Sequence, residues 1–308
     1  MSIKKSYVAY FDVLGFSSVV NSHTTNDLER MVKNLFDGFN DAIDQSRMVE
    51  GGRIDISNIK FHLFSDSFII WTEDVKHSDG ITTSGDSYVV FRNLLYAIME
   101  ILKYGLLNGF PLRGALSYGD IVLHERIEPS EHKIFLLDDS IYGRAYMDAY
   151  HLEAVQEWSG CIVTQSAWNQ IYHTWSKVNT PGDDPHCLFN KYPFLTWYPV
   201  PTKNGIYETI AINWNSSYAW KKEKLINPEL IKLSFYAFNK TLPKDSRKLI
   251  ETLKFWEYTN KLADNVFRNN LSEDNKKAFI HHPPTNNMVD TNNILWAHYS
   301  PENNEDKN

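Results

Sequence analysis

The spacing of apolar residues near the start of the chain predicts a strand followed by a helix. Residues 6–13, SYVAYFDV, are rich in aromatic and β-branched types and are followed by Gly15, which is typical of a buried strand that ends in a sharp turn. From residue 26 onward, apolar residues recur every three or four positions, which places them on one face of a helix. They are Leu28, Met31, Val32, Leu35, Phe36, Phe39 and Ile43.

A hairpin is predicted next, from two short apolar runs at 59–64 and 68–71. The residues between the runs favour a tight turn, so we expect Asp66 to lie at the tip of this hairpin. Residues 74–87 are polar and rich in glycine and serine, as expected for a surface loop. The periodic run at 88–107 then predicts a second long helix.

The following residues add a strand at 111–118, a long hairpin at 119–137, a helix at 141–158 and a short strand at 161–164. The resulting order of elements is βαββαββαβ. This order predicts an α+β fold class, with a ferredoxin-like split βαβ sheet and helices on one face.

The second half of the chain is less regular. Residues 177–202 are rich in proline, asparagine and aromatic types, residues 205–214 alternate like a late strand, and residues 228–265 have a helical pattern. We therefore expect a sheet domain at 1–213 and a mainly helical extension packed on it at 214–285. The polar, proline-containing end at 286–308 is expected to form a tail.

Composition narrows the possible functions. The net charge of −7 is spread without a long basic run, which argues against nucleic acid as a partner. No stretch is apolar over the length that a membrane-spanning helix needs, and the start of the chain lacks the pattern of a secretory leader. Cys161 and Cys187 do not have metal-binding spacing. We expect a soluble cytoplasmic protein without a disulfide.

Two aspartates provide the clearest indication of chemistry. Asp12 ends one apolar strand and Asp66 lies at the predicted hairpin tip, where a carboxylate is costly to desolvate without a counter-charge. In a split βαβ sheet the first strand lies beside this hairpin, so the two carboxylates can meet. Mg²⁺ and Mn²⁺ favour such sites, with phosphate oxygens and water as the remaining ligands. The alternative is that Asp12 caps a turn and Asp66 is an ordinary turn residue.

Four short motifs follow one another in a recognisable order. They are Phe11-Asp12-Val13-Leu14-Gly15-Phe16-Ser17, then Phe64-Ser65-Asp66-Ser67-Phe68, then Leu112-Arg113-Gly114-Ala115-Leu116-Ser117-Tyr118-Gly119-Asp120, and finally Tyr142-Gly143-Arg144-Ala145 through Leu152-Glu153. This order resembles that of the class III nucleotidyl cyclases over residues 6–213: a first metal motif, a Gly-Asp hairpin, an Arg-Ile-Gly-Ile strand and a substrate-binding helix.

The resemblance implies a two-metal site with Asp12, Val13 and Asp66 at the ions. It also implies attack of a ribose 3′-oxygen on the α-phosphate of a nucleoside triphosphate. Because class III sites form between subunits, we expect a homodimer with active sites at the interface.

Further contacts are predicted from the residue types. Backbone N–H groups of Leu14, Gly15 and Phe16 can cradle phosphates, because a turn that contains glycine presents unpaired donors. Arg144, at a helix start, is the preferred catalytic cation, and Arg113 is expected to contact substrate unless it only anchors its strand. A solvated surface charge is the alternative for Arg144.

The departures from the family concern the base-reading half. His62 stands where adenylate cyclases have a lysine, and Met147 and His151 stand where the family has asparagine and arginine. The adenine-reading aspartate corresponds to Ser140, one place from Asp139. This pattern resembles the bacterial pyrimidine cyclases of the Pycsar antiphage systems, whose cyclic nucleotide acts on a separate effector protein.

Several interpretations of the base-reading half stay open. UTP is the expected substrate, with His62 contacting it, and CTP is the alternative. A purine cyclase and an inactive nucleotide-binding module are the other rivals. The histidines and glutamates at 124–132 are expected to form a solvated hairpin tip and not a metal site.

Overall fold

A long central strand organises the sheet. The computed structural model describes residues 2–46, 48–49, 52–53, 57–76, 82–123, 141–178, 194–215, 226–236 and 246–269. In β1 (Ser2–Val13) the side chains of Tyr7, Val8, Ala9 and Phe11 are fully buried. Both faces of this strand are therefore covered, which explains why its sequence is a nearly continuous apolar run.

Helices and strands follow one another in mixed order along the rest of the described chain. After β1 come α1 (Phe16–Ser22), α2 (Thr25–Ser46), β2 (Met48–Val49), β3 (Gly52–Arg53), β4 (Ile59–Phe64), β5 (Ser67–Thr72), β6 (Val75–Lys76), β7 (Thr82–Thr83), α3 (Tyr88–Leu107), β8 (Leu112–Leu123), β9 (Ile141–Tyr142), α4 (Arg144–Val155), β10 (Gly160–Val163), α5 (Gln165–Val178), β11 (Leu195–Thr202), β12 (Gly205–Ile212), α6 (Pro228–Tyr236) and α7 (Arg247–Asn269).

The main sheet has the predicted connectivity. Its strand order is β11-β12-β10-β8-β1-β5-β4, with β9 paired to β8. β1 is antiparallel to both β5 and β8, and β4 and β5 form the hairpin beside it. The order β8-β1-β5-β4 is that of a ferredoxin-like split βαβ unit, and it confirms the predicted α+β fold class.

The two faces of the sheet carry different groups. Phe11 stacks on Phe68 with ring centroids 5.0 Å apart, and Tyr7 lies 5.1 Å from Phe91 of α3. Tyr10 points to the other face, where its ring lies 5.2 Å from that of Tyr150 in α4. Because side chains alternate along a strand, Asp12 shares the α4 face with Tyr10. Helices therefore pack on both faces of the sheet, and the prediction that they lie on one face was wrong.

Most predicted elements are confirmed, with several corrections. The short strand pairs β2–β3 and β6–β7 were not predicted, and the second pair lies within the predicted loop at 74–87. The helix predicted at 141–158 begins with the short strand β9, because these two residues pair with the end of β8. The region at 177–202 contains β11, which pairs with β12 as a hairpin. α1 and α5 were not predicted. The tip at 124–140, which contains the predicted histidine and glutamate cluster, lies outside the described residues.

The C-terminal helices contribute to the same hydrophobic core as the sheet. Ile231 and Phe235 of α6 and Phe255 of α7 are buried, and the Phe255 ring lies 4.5 Å from that of Trp158. The domain boundary after residue 213 stays a prediction, and residues 270–308 lie outside the described part. Among the described helices, none combines the length and hydropathy that a membrane crossing requires.

Candidate active site

Asp12 lies at the end of β1 between two neighbouring strands. It is opposite Ser67 of β5 and Arg113 of β8. The Ser67 hydroxyl donates to Asp12 Oδ1 at 3.2 Å, and Oδ2 lies 3.6 Å from the Arg113 guanidinium. The carboxylate is half-buried. Because Ser67 and Arg113 are its cross-strand neighbours, the sheet register fixes which side chains contact it.

Asp66 lies in the two-residue turn between β4 and β5. The Val13 N–H donates to the Asp66 carbonyl oxygen at 3.1 Å, which holds this turn against the end of β1. Ser65, the other turn residue, has φ 54°, a left-handed conformation that favours glycine. The structure therefore brings Asp12 and Asp66, here called the acidic pair, to one place, as predicted from the order of elements.

The acidic pair has the electrostatics of a cation site. Burial raises the pKa of Asp12, and the neighbouring charge of Asp66 raises it further, while Arg113 and the Ser67 hydrogen bond lower it. Within the described residues, no group of three or more His, Cys, Asp or Glu side chains converges. Two carboxylates are enough for an ion that leaves its other positions to water and phosphate, as Mg²⁺ and Mn²⁺ do.

Arg113 is held from three sides. Its Nε donates to Glu153, its Nη1 donates to the Gln156 carbonyl at 2.9 Å, and its Nη2 lies near Asp12. The side chain is 10% exposed. These contacts link the end of α4 to Asp12, and they are those of a positioning residue. The predicted contact between Arg113 and substrate stays a prediction.

Glu153 is a site residue to which sequence reasoning assigned no role. It is buried at the α4 end that faces β8, and burial raises its pKa to about 7, against the opposing effect of Arg113. Asp12, Arg113 and Glu153 form a connected ionic triad. One signal in the sequence was available: Glu153 follows Ala149 by four residues, on the buried face of the helix.

The turn after β1 corrects one predicted phosphate contact. The Leu14 N–H already donates to the Pro111 carbonyl at 2.9 Å, so it is not a free donor. Gly15 has φ 83° and caps α1, and its carbonyl accepts from the N–H groups of Ser18 and Val19. Gly15 and Phe16 lie at the helix start, where backbone N–H groups have no partner within the helix. Of the three N–H groups predicted to contact phosphate, only those of Gly15 and Phe16 remain candidates.

His62 lies on the same face of the sheet as Asp12. It pairs with Ile69, which pairs with Tyr10, and cross-strand partners share a face. The His62 ring is half-buried and lies 4.3 Å from that of Phe64. His62 is therefore two strands away from β1, on the sheet face that carries Asp12.

Arg144 lies at the far end of α4 from the triad. It is 56% exposed, and its Nε donates to Asp148 at 3.2 and 3.3 Å. Nine residues separate it from Glu153, which corresponds to about 13 Å along a helix axis. Gly143, before it, has φ 138°, and a Cβ there would meet the Asp120 carbonyl at 2.3 Å. The structure thus brings Asp12, Asp66 and Arg113 together, and it does not bring Arg144 to them within one chain.

Comparisons with known proteins give a distant likeness. No family model and no curated protein match the sequence. The guanylyl cyclase Cya2 is similar at 8% identity, over 73% of this chain and 97% of that one, with a TM-score of 0.42. The adenylyl cyclase CyaB from P. aeruginosa is 12% identical over 73% and 98%, with a TM-score of 0.39. A bacterial light-regulated adenylyl cyclase is 15% identical over 71% and 94%, also at 0.39. The function is therefore argued from the residues of this chain.

Proposed function

We propose that the chain is a nucleotidyl cyclase that converts a pyrimidine nucleoside triphosphate into its 3′,5′-cyclic monophosphate and pyrophosphate. The observation that supports this most directly is the acidic pair. Asp12 ends β1, Asp66 lies in the turn held against it, and the charge of Asp66 raises the cost of ionising Asp12 unless a cation binds.

The chain's own residues divide the work as follows. Asp12 and Asp66 would hold two divalent ions, Mn²⁺ or Mg²⁺, with the backbone of Val13, which follows Asp12 and is bonded to the Asp66 carbonyl, at the same place. Bound ions of this kind activate an attacking hydroxyl and neutralise phosphate charge. Arg113 and Ser67 hold the Asp12 carboxylate in one orientation, so little reorganisation is needed when substrate arrives.

The reaction balances without a covalent intermediate on the protein. The ribose 3′-oxygen bonds to the α-phosphorus, the bond from that phosphorus to the β-phosphate oxygen breaks, and pyrophosphate leaves with the electron pair. The 3′-hydroxyl proton passes to solvent. No side-chain nucleophile is required, so the main contributions of the protein are positioning and charge.

The pyrimidine assignment rests on the resemblance together with His62. An imidazole can donate or accept, so it suits the edge of uracil or cytosine, and it lies on the same sheet face as Asp12. We propose UTP first and CTP as the alternative. The cyclic product would act on a separate effector protein, as in the Pycsar systems that the sequence resembles.

We further propose a homodimer that uses this face of the sheet. Large apolar side chains remain exposed on β4, β9 and α4: Phe64 at 41%, Tyr142 at 39%, Met147 at 41% and Tyr150 at 40%. A second copy that covers this face would bury them. It would also bring the partner subunit's copy of α4, with Arg144 at its start, toward Asp12.

Mixing two inactive variants tests the shared site. Asp12→Asn and Arg144→Ala should each be inactive, and equal mixing after subunit exchange should restore about a quarter of wild-type activity, because half of the dimers would carry one intact site. No recovery in a verified mixed dimer would show that both residues serve the same subunit.

The main experiment tests the reaction itself. The full chain is incubated with Mn²⁺ and separately with UTP, CTP, ATP or GTP, and products are identified by mass, with Asp66→Ala as the control. A cyclic pyrimidine nucleotide that disappears in the variant supports the proposal. A cyclic purine nucleotide would overturn the base assignment and leave the metal site standing.

A second candidate is a module that binds a nucleotide without turning it over. It is favoured by one observation: Arg113 already gives Asp12 a counter-charge, so the carboxylate is tolerated without a metal. Binding of UTP with Mn²⁺ but no product from any nucleotide would support this candidate instead.

A further inference from the structure

The second turn of α7 is attached to the segment before β10 and, through it, to the strand end that carries Arg113. The Ser159 N–H donates to Thr252 Oγ1 at 2.8 Å, and the Ser159 hydroxyl donates to the Leu112 carbonyl at 2.8 Å. Thr252 in turn donates to the Lys248 carbonyl at 2.7 Å. Lys248 is therefore one helical turn before a residue that is bonded to the segment beside the triad.

A second set of contacts fixes the same end of the helix. Arg247 donates to the Thr202 carbonyl at 3.3 Å, and Leu249 is buried. The Ser246 hydroxyl accepts from the Leu249 N–H at 3.3 Å, which caps the helix. Lys248 lies between Arg247 and Leu249, so these contacts fix the position of its backbone.

The Lys248 side chain is half-buried, and its charge interacts with those of Arg113 and Asp12. Burial lowers its pKa, and the cations of Arg113 and Lys203 lower it further, while the carboxylates of Glu157 and Asp12 oppose the shift. The pKa of Asp12 is raised by burial, and Lys248 is one of the groups that oppose this shift. Arg113 and Lys248 therefore both place positive charge near Asp12, the carboxylate proposed to bind metal.

The ammonium group of Lys248 has capacity for a ligand. Among the described residues it makes no hydrogen bond or ion pair, although its neighbourhood contains charges of both signs. A half-buried ammonium group with three donors and no fixed acceptor is suited to phosphate oxygens. Lys254, on the same helix, differs: it is 60% exposed and pairs with Glu251 at 2.8 Å.

We propose that Lys248 binds the phosphate chain of the nucleotide held at Asp12 and Asp66. This inference rests on the proposed function. The acidic pair adds negative charge beside an anionic triphosphate, so cations beyond the metal ions are needed to balance it, most of all when pyrophosphate leaves. The helical extension would then supply a substrate contact in addition to packing on the sheet.

Binding of inorganic tripolyphosphate in the presence of Mn²⁺ tests this role without requiring turnover. By calorimetry on the full chain, Lys248→Gln should bind tripolyphosphate about tenfold more weakly than wild type. Lys248→Arg should stay within about threefold, because the charge is retained. Lys254→Gln, the matched control, should bind like wild type.

Affinity for Mn²⁺ alone separates a phosphate contact from a structural role. Removing a cation next to Asp12 should leave Mn²⁺ binding unchanged or make it up to about threefold tighter, since the repulsion of the metal ion is reduced. A merely structural lysine would weaken both Mn²⁺ and tripolyphosphate binding, and that result would overturn the proposal.

Chemical labelling of the wild-type protein provides a measurement that needs no variant. Tripolyphosphate with Mn²⁺ should slow acetylation of Lys248 by acetic anhydride several-fold and leave Lys254 unaffected, as read by peptide mass. Equal labelling of Lys248 with and without tripolyphosphate would overturn the proposal.

The outcomes distinguish the two levels of inference. If wild type binds Mn²⁺ and tripolyphosphate and Lys248→Gln binds them equally well, the role of Lys248 is lost and the proposed function stands. If wild type binds neither, the metal site and the role of Lys248 are both overturned.

Discussion

The guanidinium group of Arg113 lies 3.6 Å from the Asp12 carboxylate while its Nε donates to Glu153. One cation thus serves two carboxylates that come from different elements, β1 and α4. The pairing couples the proposed metal site to the packing of a helix. Four predictions concern this region.

Loss of the Arg113 charge should destabilise the protein strongly. In Arg113→Met the half-buried Asp12 and the buried Glu153 lose the cation that they share. We expect the free energy of unfolding to fall by about 3 kcal/mol at pH 7. The loss should be smaller at pH 5, since both carboxylates then take up protons more readily. Urea unfolding at the two pH values measures this.

Arg30 provides the matched control for that change. It is 74% exposed and pairs with Asp27 on the surface of α2, so Arg30→Met should change stability by less than about 0.5 kcal/mol. If Arg113→Met were no more destabilising than Arg30→Met, the triad would have no part in holding α4 against β1.

Glu153 should make stability depend on pH with a defined sign. Its pKa in the folded protein is raised to about 7, so the folded state binds this proton more tightly than the unfolded state does. Stability should therefore fall as pH rises from the ordinary glutamate value, about 4.3, towards 7, and this contribution should level off above it. Glu153→Gln, a mimic of the neutral form, should remove this part of the slope.

Unfolding curves between pH 5 and pH 8 measure the effect. Glu153→Gln should match wild type near pH 5 and be more stable by about 1–2 kcal/mol at pH 8. Glu229→Gln, which alters an exposed surface pair, should keep the wild-type slope. A Glu153→Gln variant that loses stability throughout this range would show that the Arg113 pairing outweighs the cost of burying the charge.

Metal binding should stabilise the folded protein through the acidic pair. At Mn²⁺ concentrations near 100 times the dissociation constant, the stabilisation should be about 2.7 kcal/mol, seen as a rise in Tm of a few degrees. Asp66→Asn should abolish most of this rise and lower the cyclisation rate by about 10²-fold or more. Asp27→Asn, at an exposed aspartate, should behave like wild type; an equal loss there would mean that Mn²⁺ acts non-specifically.

The turn that carries Asp66 should resist β-branched residues. Ser65 has φ 54°, which a β-branched side chain adopts only with strain, so Ser65→Val should cost about 1–2 kcal/mol and misplace Asp66. Ser65→Gly should retain stability within about 0.5 kcal/mol, because glycine adopts this φ without strain but loses more entropy on folding. Thermal unfolding and cyclisation assays of the pair test this; a tolerated valine would contradict it.

Local pattern was enough to predict the elements that surround the acidic pair. The apolar run of β1, the two runs of the β4–β5 hairpin and the periodicity of α3 each depend on residues close in sequence, and each was found within a few positions. Their order then restricts the strand arrangement to a small number of topologies, which is why Asp12 and Asp66 were expected to meet.

Other parts of the site depend on contacts between distant residues and have no local signature. Glu153 and Arg113 lie 40 positions apart and meet only when α4 packs on β8. The Leu14 N–H is engaged only because Pro111 ends a neighbouring segment. The helix that carries Lys248 is attached near β8 by the hydrogen bond between Ser159 and Thr252, which joins positions 93 residues apart.

The sequence by itself determined the types and order of the main elements and the identity of the acidic pair, because hydrophobic periodicity and turn chemistry are short-range properties. Tertiary structure alone decided which charges surround that pair. Sheet register set Asp12 opposite Arg113, and helix docking brought in Glu153 and Lys248. Electrostatic interactions depend on distance and burial, and both are properties of the packed chain.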